Sequence, residues 1–311
     1  MKLSDYNDPK NSLVLFGLQE KFNFLNNLLK QNKFPQVLML TGKKGIGKFT
    51  LINHFLNYFF DKESYDLKNL TINQHSQFYK QYSKNAFPNI IYFSGNDFKT
   101  ISVEKIRDLK IQISQTTILN TNRYIILDDV DLFNKNSLNA LLKIIEEPTS
   151  KNYFLLINNS ANMILETIHS RALEIKLILD ETTRLKIIES LIQINNLNVF
   201  IDYNHLNISP GNFLIFNSIC SENQIKVNSD YIGNLNLLLN LYKKSKDFNY
   251  INMILFITDV HFFNQKIKNN QLTEKIIADK NYVVKNLNNF ISYNLNQNSL
   301  INAINNKILN G

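Results

Sequence analysis

The sequence predicts a mixed α/β domain on a parallel sheet, then a small helical lid and an all-helical C-terminal domain, divided as 1–179, 180–221 and 222–311. Three observations predict it. An apolar run of strand length, Val37-Leu38-Met39-Leu40, leads directly into a glycine-rich turn and then a helix-spaced set: Leu51, Ile52, Phe55, Leu56 and Phe59. Similar short apolar runs then alternate with helical patterns as far as Leu177, the order that builds a parallel sheet covered on both faces. From about residue 222 the pattern is helical to the end, with no glycine between Gly233 and Gly311.

Each element has a local reason. Leu18, Phe22, Leu25, Leu28 and Leu29 share one helical face, and Pro35 follows soon after. Ile90–Phe93, Tyr124–Leu127, Tyr153–Ile157 and Ala172–Leu177 read as further strands. Between them lie a helix over Ile101–Ile113, with Val103, Ile106 and Leu109 or Ile113 inward, and a helix marked by Leu138, Leu141, Leu142 and Ile145. Pro148 stops the second. Asp180 is placed to cap a helix carrying Leu185, Ile187, Ile188 and Leu191, and Ser209-Pro210-Gly211 breaks the chain beyond it.

A chain of 311 residues exceeds one compact core and suits two or three. Asn, Lys, Ile, Phe and Tyr are abundant and Trp is absent, as A+T-rich coding produces. The net charge of +8 admits two readings: association with nucleic acid, or lysine usage under that same bias. A single cysteine, Cys220, excludes an internal disulfide framework and a cysteine-based zinc site. The opening MKLSDYNDPK lacks the apolar stretch of a signal peptide, and the apolar runs are far shorter than the ~20 residues a bilayer span needs. A cytoplasmic protein is expected.

Gly42-Lys43-Lys44-Gly45-Ile46-Gly47-Lys48 has phosphate-loop spacing up to its lysine. Glycines let successive backbone N–H groups turn inward on phosphate oxygens, the helix N-terminus adds its dipole, and Lys48 reaches the β- and γ-phosphates. The next position carries Phe49, where such loops place a Ser or Thr hydroxyl on magnesium. Thr50 lies about 100° further round the helix. Ile125-Ile126-Leu127-Asp128-Asp129 is an apolar strand ending in carboxylates, in the form of a Walker B box. Asp128 is the candidate magnesium holder, and capping of the strand end is the other reading of both acids.

Downstream of Asp128 the motifs become specific. Asp128-Asp129-Val130-Asp131-Leu132-Phe133-Asn134, followed by Asn139-Ala140-Leu141-Leu142-Lys143-Ile144-Ile145-Glu146-Glu147-Pro148, resembles the signature of the bacterial clamp-loader AAA+ family of DNA polymerase III. Glu146 and Glu147 sit at a helix C-terminus, where the dipole disfavours anions, so tertiary context is the suggested reason for them. Thr167-Ile168-His169-Ser170-Arg171-Ala172 is similar to the family's T-x-x-S-R-C motif, with Ala172 for the cysteine. Phe16–Glu20, Phe87-Pro88-Asn89 and Ile101–Arg107 match in kind, so the resemblance covers roughly residues 13–177, with Ser209-Pro210-Gly211 as a further landmark.

The resemblance implies roles. Gly42, Gly45, Gly47, Lys48, Thr50, Asp128 and Asn158 would form the nucleotide site, with Asn158 as sensor 1. Asp129 would stand where the family's ATPases carry a water-activating Glu, one methylene short. Arg171 would project across a subunit boundary to a neighbour's nucleotide. The implied partners are gamma/tau-type motor and delta subunits, the sliding clamp and primer-template DNA. ATP with Mg²⁺ would bind weakly or not at all, and zinc is not expected.

Departures point to the delta-prime type rather than the motor type. Phe49 and Asp129 replace the hydrolytic residues, and Ser209-Pro210-Gly211-Asn212 offers no sensor 2 arginine; residues 60–90 also lack the four-cysteine zinc module of the motor subunits, which many delta-prime chains share, so that loss is itself a departure. The rivals are an active ATPase in which Thr50 and Asp129 compensate, and a DNA-binding scaffold of Lys-rich helices. A P-loop kinase or GTPase leaves Asn139–Pro148 and Ser170-Arg171 unexplained.

Overall fold

The five apolar runs form β1 (Val37–Thr41), β2 (Ile90–Ser94), β3 (Arg123–Asp128), β4 (Asn152–Asn158) and β5 (Leu173–Lys176) in a computed structural model. The structure describes residues 8–94, 103–115, 119, 121–160, 162–268 and 273–309. All pairings are parallel and the strand order is β2-β3-β4-β1-β5. The register sets Thr41 beside Asn158 and Ser94 beside Asp128, so the predicted polar residues collect at the carboxyl ends of the strands. That edge is where open α/β sheets bind ligands.

Side chains alternate between the two faces. Leu38, Leu40, Tyr124, Ile126, Leu155 and Ile157 pack with Phe22 and Leu25 of α1 (Gln19–Lys30) and with Leu51, Ile52 and Phe55 of α2 (Lys48–Phe60). Met39, Ile125, Leu127, Phe154 and Leu156 face α4 (Val103–Ser114), α5 (Lys135–Ile145) and the four-residue α6 (Glu166–His169). Burial on both faces explains why the strands read as continuous apolar runs instead of alternating ones. Ile106, Leu109 and Ile113 all point inward from α4, while the expected start of that helix at Ile101 and the Val103 side chain lie outside the described residues.

Capping follows the sequence. Asn134 Oδ1 accepts the Ser137 N–H at 2.8 Å and starts α5. Asp180 Oδ1 accepts the Thr183 N–H at 2.8 Å and starts α7 (Glu181–Asn195). Hydrogen bonds from Thr182 and Thr183 hold the Asp180 carboxyl well below the usual carboxylate range.

Residues 60–90, which contain no cysteine, are packed with aromatic side chains. Phe60 stacks on Phe78 at 5.3 Å and meets Phe87 edge-on at 4.8 Å; Phe78 also stacks on Tyr82 of α3 (Gln77–Ser83) at 5.6 Å. Lys10 is buried beside them, its ammonium 5.1 Å from the Tyr82 ring centre and 5.4 Å from that of Tyr92. Among the described residues no cluster of three or more His, Cys, Asp or Glu could hold a metal.

The chain folds as two compact units, Met1–Ser190 with Ser209–Asn212, and Leu191–Ile208 with Phe213–Gly311. Residues 180–221 are therefore shared between the units. The second unit contains most of α8 (Pro210–Asn223), then α9 (Tyr231–Ser245), α10 (Phe248–Lys268), α11 (Thr273–Tyr293) and α12 (Gln297–Leu309). Its core includes Leu235, Leu238, Met253, Ile254, Ile257, Val283, Leu287 and Ile304, and Cys220 is free and buried within it. No described helix is long and apolar enough to cross a membrane.

If the aromatic packing stands alone, a chelator will leave the thermal midpoint unchanged. Phe78→Ala will instead cost about 3–5 kcal/mol, read by denaturant unfolding.

Candidate functional site

The glycine loop forms where β1 runs out. Gly42 donates its N–H to the Asn158 carbonyl at 3.1 Å, which ties the loop to β4. Gly45 (φ 82°) and Gly47 (φ 95°) adopt the left-handed region that glycine enters without strain. Lys48 opens α2 and is only 3 % exposed. Its ammonium donates to the carbonyls of Gly42 at 2.5 Å and Lys43 at 2.7 Å. Burial lowers the Lys48 pKa to about 8, against the opposing pull of Asp128, Asp131 and Asp129.

Ser209-Pro210-Gly211-Asn212 closes over this loop. Ser209 Oγ donates to the Lys44 carbonyl at 2.7 Å and Gly211 N–H to the Gly45 carbonyl at 2.8 Å. A Cβ on Gly211 would stand 3.0 Å from Gly45 Cα, and one on Gly45 would lie 2.4 Å from Ser209 Oγ. Only two glycines allow so close a backbone approach.

The acidic side has an unusual neighbour. Asp128 ends β3, and its Oδ2 accepts the Tyr92 hydroxyl at 3.2 Å. The Phe49 ring, 7 % exposed, packs edge-on against Tyr92 at 5.5 Å. Tyr92 therefore stands between Asp128 and Phe49, the residue that replaces the metal-binding hydroxyl. Burial, then the Asp129 charge, raises the Asp128 pKa to about 6. Asp129 sits in the left-handed region (φ 52°), accepts a hydrogen bond from the Asn159 side chain and lies 3.5 Å from the Lys44 ammonium. Asp131 is buried and accepts the Asn159 N–H at 3.0 Å.

These residues keep the shape of a phosphate cradle, and its metal side departs from the magnesium-holding pattern. Phe49 supplies no oxygen, and the candidate metal carboxylate is capped by Tyr92. Thr50 forms no side-chain hydrogen bond to Asp128 among the described residues, and Asn158 spends its Oδ1 on the Ser160 N–H at 2.8 Å.

Gly42, Gly45, Gly47, Lys48, Asp128, Asp129 and Asn158 thus gather at one end of the sheet, and Arg171 joins none of their contacts. It follows α6, where Nη1 donates to the Thr167 carbonyl at 2.9 Å and to Ser170 Oγ at 3.1 Å. Its Nη2 lies 2.8 Å from Glu146 Oε1. Sequence reasoning passed over Tyr92, Asn159 and Lys44. Tyr92 was readable only as a polar-tipped aromatic in an apolar strand, because the β2–β3 register that aims it at Asp128 has no local signal.

A family model described as DNA polymerase III, delta subunit, matches residues 17–180. The chain belongs to this family. The curated relatives include the delta-prime subunit of Pseudomonas aeruginosa, 37% identical over 76 residues (24% of this chain, 23% of the relative). The gamma subunit of Buchnera aphidicola subsp. Schizaphis graminum is 27% identical over 172 residues (54% of this chain, 45% of the relative). The match thus spans under a quarter of the first relative and under half of the second. Among solved structures, a gamma subunit-related protein of Thermotoga maritima overlays with a TM-score of 0.45 at 12% identity, covering 90% of this chain and 96% of its own. The chain is a clamp-loader-family subunit of the delta-prime and gamma kind, and its AAA+ fold rests on the strand order and loop described above.

The raised Asp128 pKa carries a sign. Native Asp128 holds its proton more tightly than the unfolded chain, so ionisation destabilises the fold as pH rises from about 4 through about 6. Asp128→Asn will raise stability by about 1–2 kcal/mol at pH 7.5 and by close to nothing at pH 4, read by denaturant unfolding at both pH values.

Proposed function

We propose that this chain is a delta-prime-like stator of the DNA polymerase III clamp loader. It helps to load the sliding clamp on primed DNA without hydrolysing ATP itself, and it lends Arg171 to the nucleotide of an adjacent motor subunit. The observation that carries this reading is the contrast between two sites. At the loop, Phe49 and Tyr92 fill the metal side. At Arg171, the guanidinium reaches the surface with its side chain 35% exposed. A group that acts on its own nucleotide needs the first site intact. One that acts on a neighbour's needs only the second.

The partners on this reading are gamma/tau-type and delta subunits, the clamp and primer-template DNA. The helices of residues 222–311 form the ring-binding collar, and residues 180–221 form the lid. The bacterial relatives, named as delta-prime and gamma subunits, favour such an assembly. A motor role has one observation in its favour, the longer stretch shared with gamma subunits. Phe49 beside Tyr92 weighs against it, because an in-line displacement of phosphate needs its metal held in register.

The test is DNA-stimulated ATP turnover by a complex reconstituted with the motor, delta and clamp subunits of the same cell. Arg171→Ala will lower turnover at the site it serves by roughly 10³-fold, as arginine fingers do, while Lys48→Ala in this chain changes little. Loss on Lys48→Ala alone would make the chain a motor.

A further inference from the structure

Glu146 and Glu147 end α5 against the helix dipole, and one of the two has an answer in the fold. Glu146 Oε1 lies 2.8 Å from Arg171 Nη2, while Nη1 bonds the Thr167 carbonyl and Ser170 Oγ. Three acceptors, from two elements, hold the guanidinium plane. A guanidinium has five N–H donors. Three are used here, leaving Nε–H and one Nη2 hydrogen without a partner among the described residues.

The supports are rigid. Leu141, Ile144 and Ile145 bury α5 in the sheet core, and Glu146 donates its own N–H to the Leu142 carbonyl at 2.9 Å. Ile168, fully buried, anchors α6. Glu147, the next residue, is exposed and forms no ion pair among the described residues. An exposed ion pair is weak in itself, so Glu146 contributes little to folding. Its effect is on arginine geometry, because an unrestrained arginine side chain samples many rotamers and loses that freedom on meeting a ligand.

We propose that Glu146 is a positioning residue that pre-orients Arg171, so that its two remaining donors face the phosphate oxygens of a nucleotide held by a neighbouring subunit. The inference rests on the trans-acting role of Arg171 proposed above. Glu146 need not release the arginine for that contact, since two donors remain unused beside it. A charge-assisted bond from Arg171 to phosphate is stronger than a neutral one, and it forms without first breaking the Glu146 pair.

Two measurements test this separately. In the full-length chain, the Arg171 guanidinium should show slowed rotation about Cζ–Nη2, read as resolved Nη resonances by ¹⁵N NMR, in wild type and in Glu147→Gln, and fast rotation with averaged resonances in Glu146→Gln. Unchanged behaviour in Glu146→Gln would overturn the positioning claim whatever Arg171 does in the assembly. In the reconstituted complex, Glu146→Gln should lower kcat roughly two- to fivefold, the scale of one exposed ion pair, with KM for ATP unchanged. Glu147→Gln should match wild type, Glu146→Asp should recover part of the loss, and Glu146→Gln should add nothing on an Arg171→Ala background. An equal loss with and without Arg171, or none while Arg171→Ala is damaging, refutes the role of Glu146 and leaves the finger standing. If Arg171→Ala itself leaves turnover intact, the finger reading fails, and the resonance alone reports whether Glu146 orders the side chain.

Discussion

A buried ammonium must be solvated by the protein, and Lys48 is solvated by the carbonyls of Gly42 and Lys43. Much of the site follows from that. Those carbonyls turn inward only because the loop folds tightly between β1 and α2, and Gly42 N–H on Asn158 fixes its base. The outer rim is held by Ser209 and Gly211, which bond the carbonyls of Lys44 and Gly45. The carbonyls of Gly42, Lys43, Lys44 and Gly45 are thereby all taken by protein donors.

The second constraint is apolar. Phe49 is excluded from water by its helix and by Tyr92, and Tyr92 in turn offers Asp128 the hydrogen bond its carboxyl needs when buried. This trades metal binding for packing. The Asp128 carboxyl is bonded at both oxygens, Oδ2 by the Tyr92 hydroxyl and Oδ1 by the Asp129 N–H, and only the first of these bonds comes from the aromatic pair. The aromatic filling of residues 60–90 repeats the same solution, with Phe60, Phe78, Tyr82 and Phe87 packed ring on ring. On the proposed reading, a subunit relieved of catalysis has spent its polar positions on stability and kept one arginine for its neighbour.

Much of this is legible in the sequence. All five strands came from short apolar runs, because a sheet buried on both faces leaves a continuous signal. Asn134 and Asp180 announced their helices through cap chemistry. The loop glycines and Lys48 were visible because phosphate-loop spacing is a local pattern. What stayed hidden depends on register and on distance along the chain. Tyr92 and Asp128 are 36 residues apart, Lys44 and Ser209 are 165 apart, and neither pairing leaves a trace in local periodicity. The sharing of residues 180–221 between two compact units was equally invisible, since helical spacing does not say which core a helix joins. Glu146 was visible as an oddity, an anion at the wrong helix end, but its partner was not.

The most direct measurement is equilibrium binding of a fluorescent ATP analogue to the isolated chain, with and without Mg²⁺. The account predicts no saturable, magnesium-dependent binding up to millimolar nucleotide, and no change on Lys48→Ala. Micromolar binding that requires Mg²⁺ and disappears with Lys48→Ala would contradict it, and would mean that Phe49 and Tyr92 move aside to admit the metal.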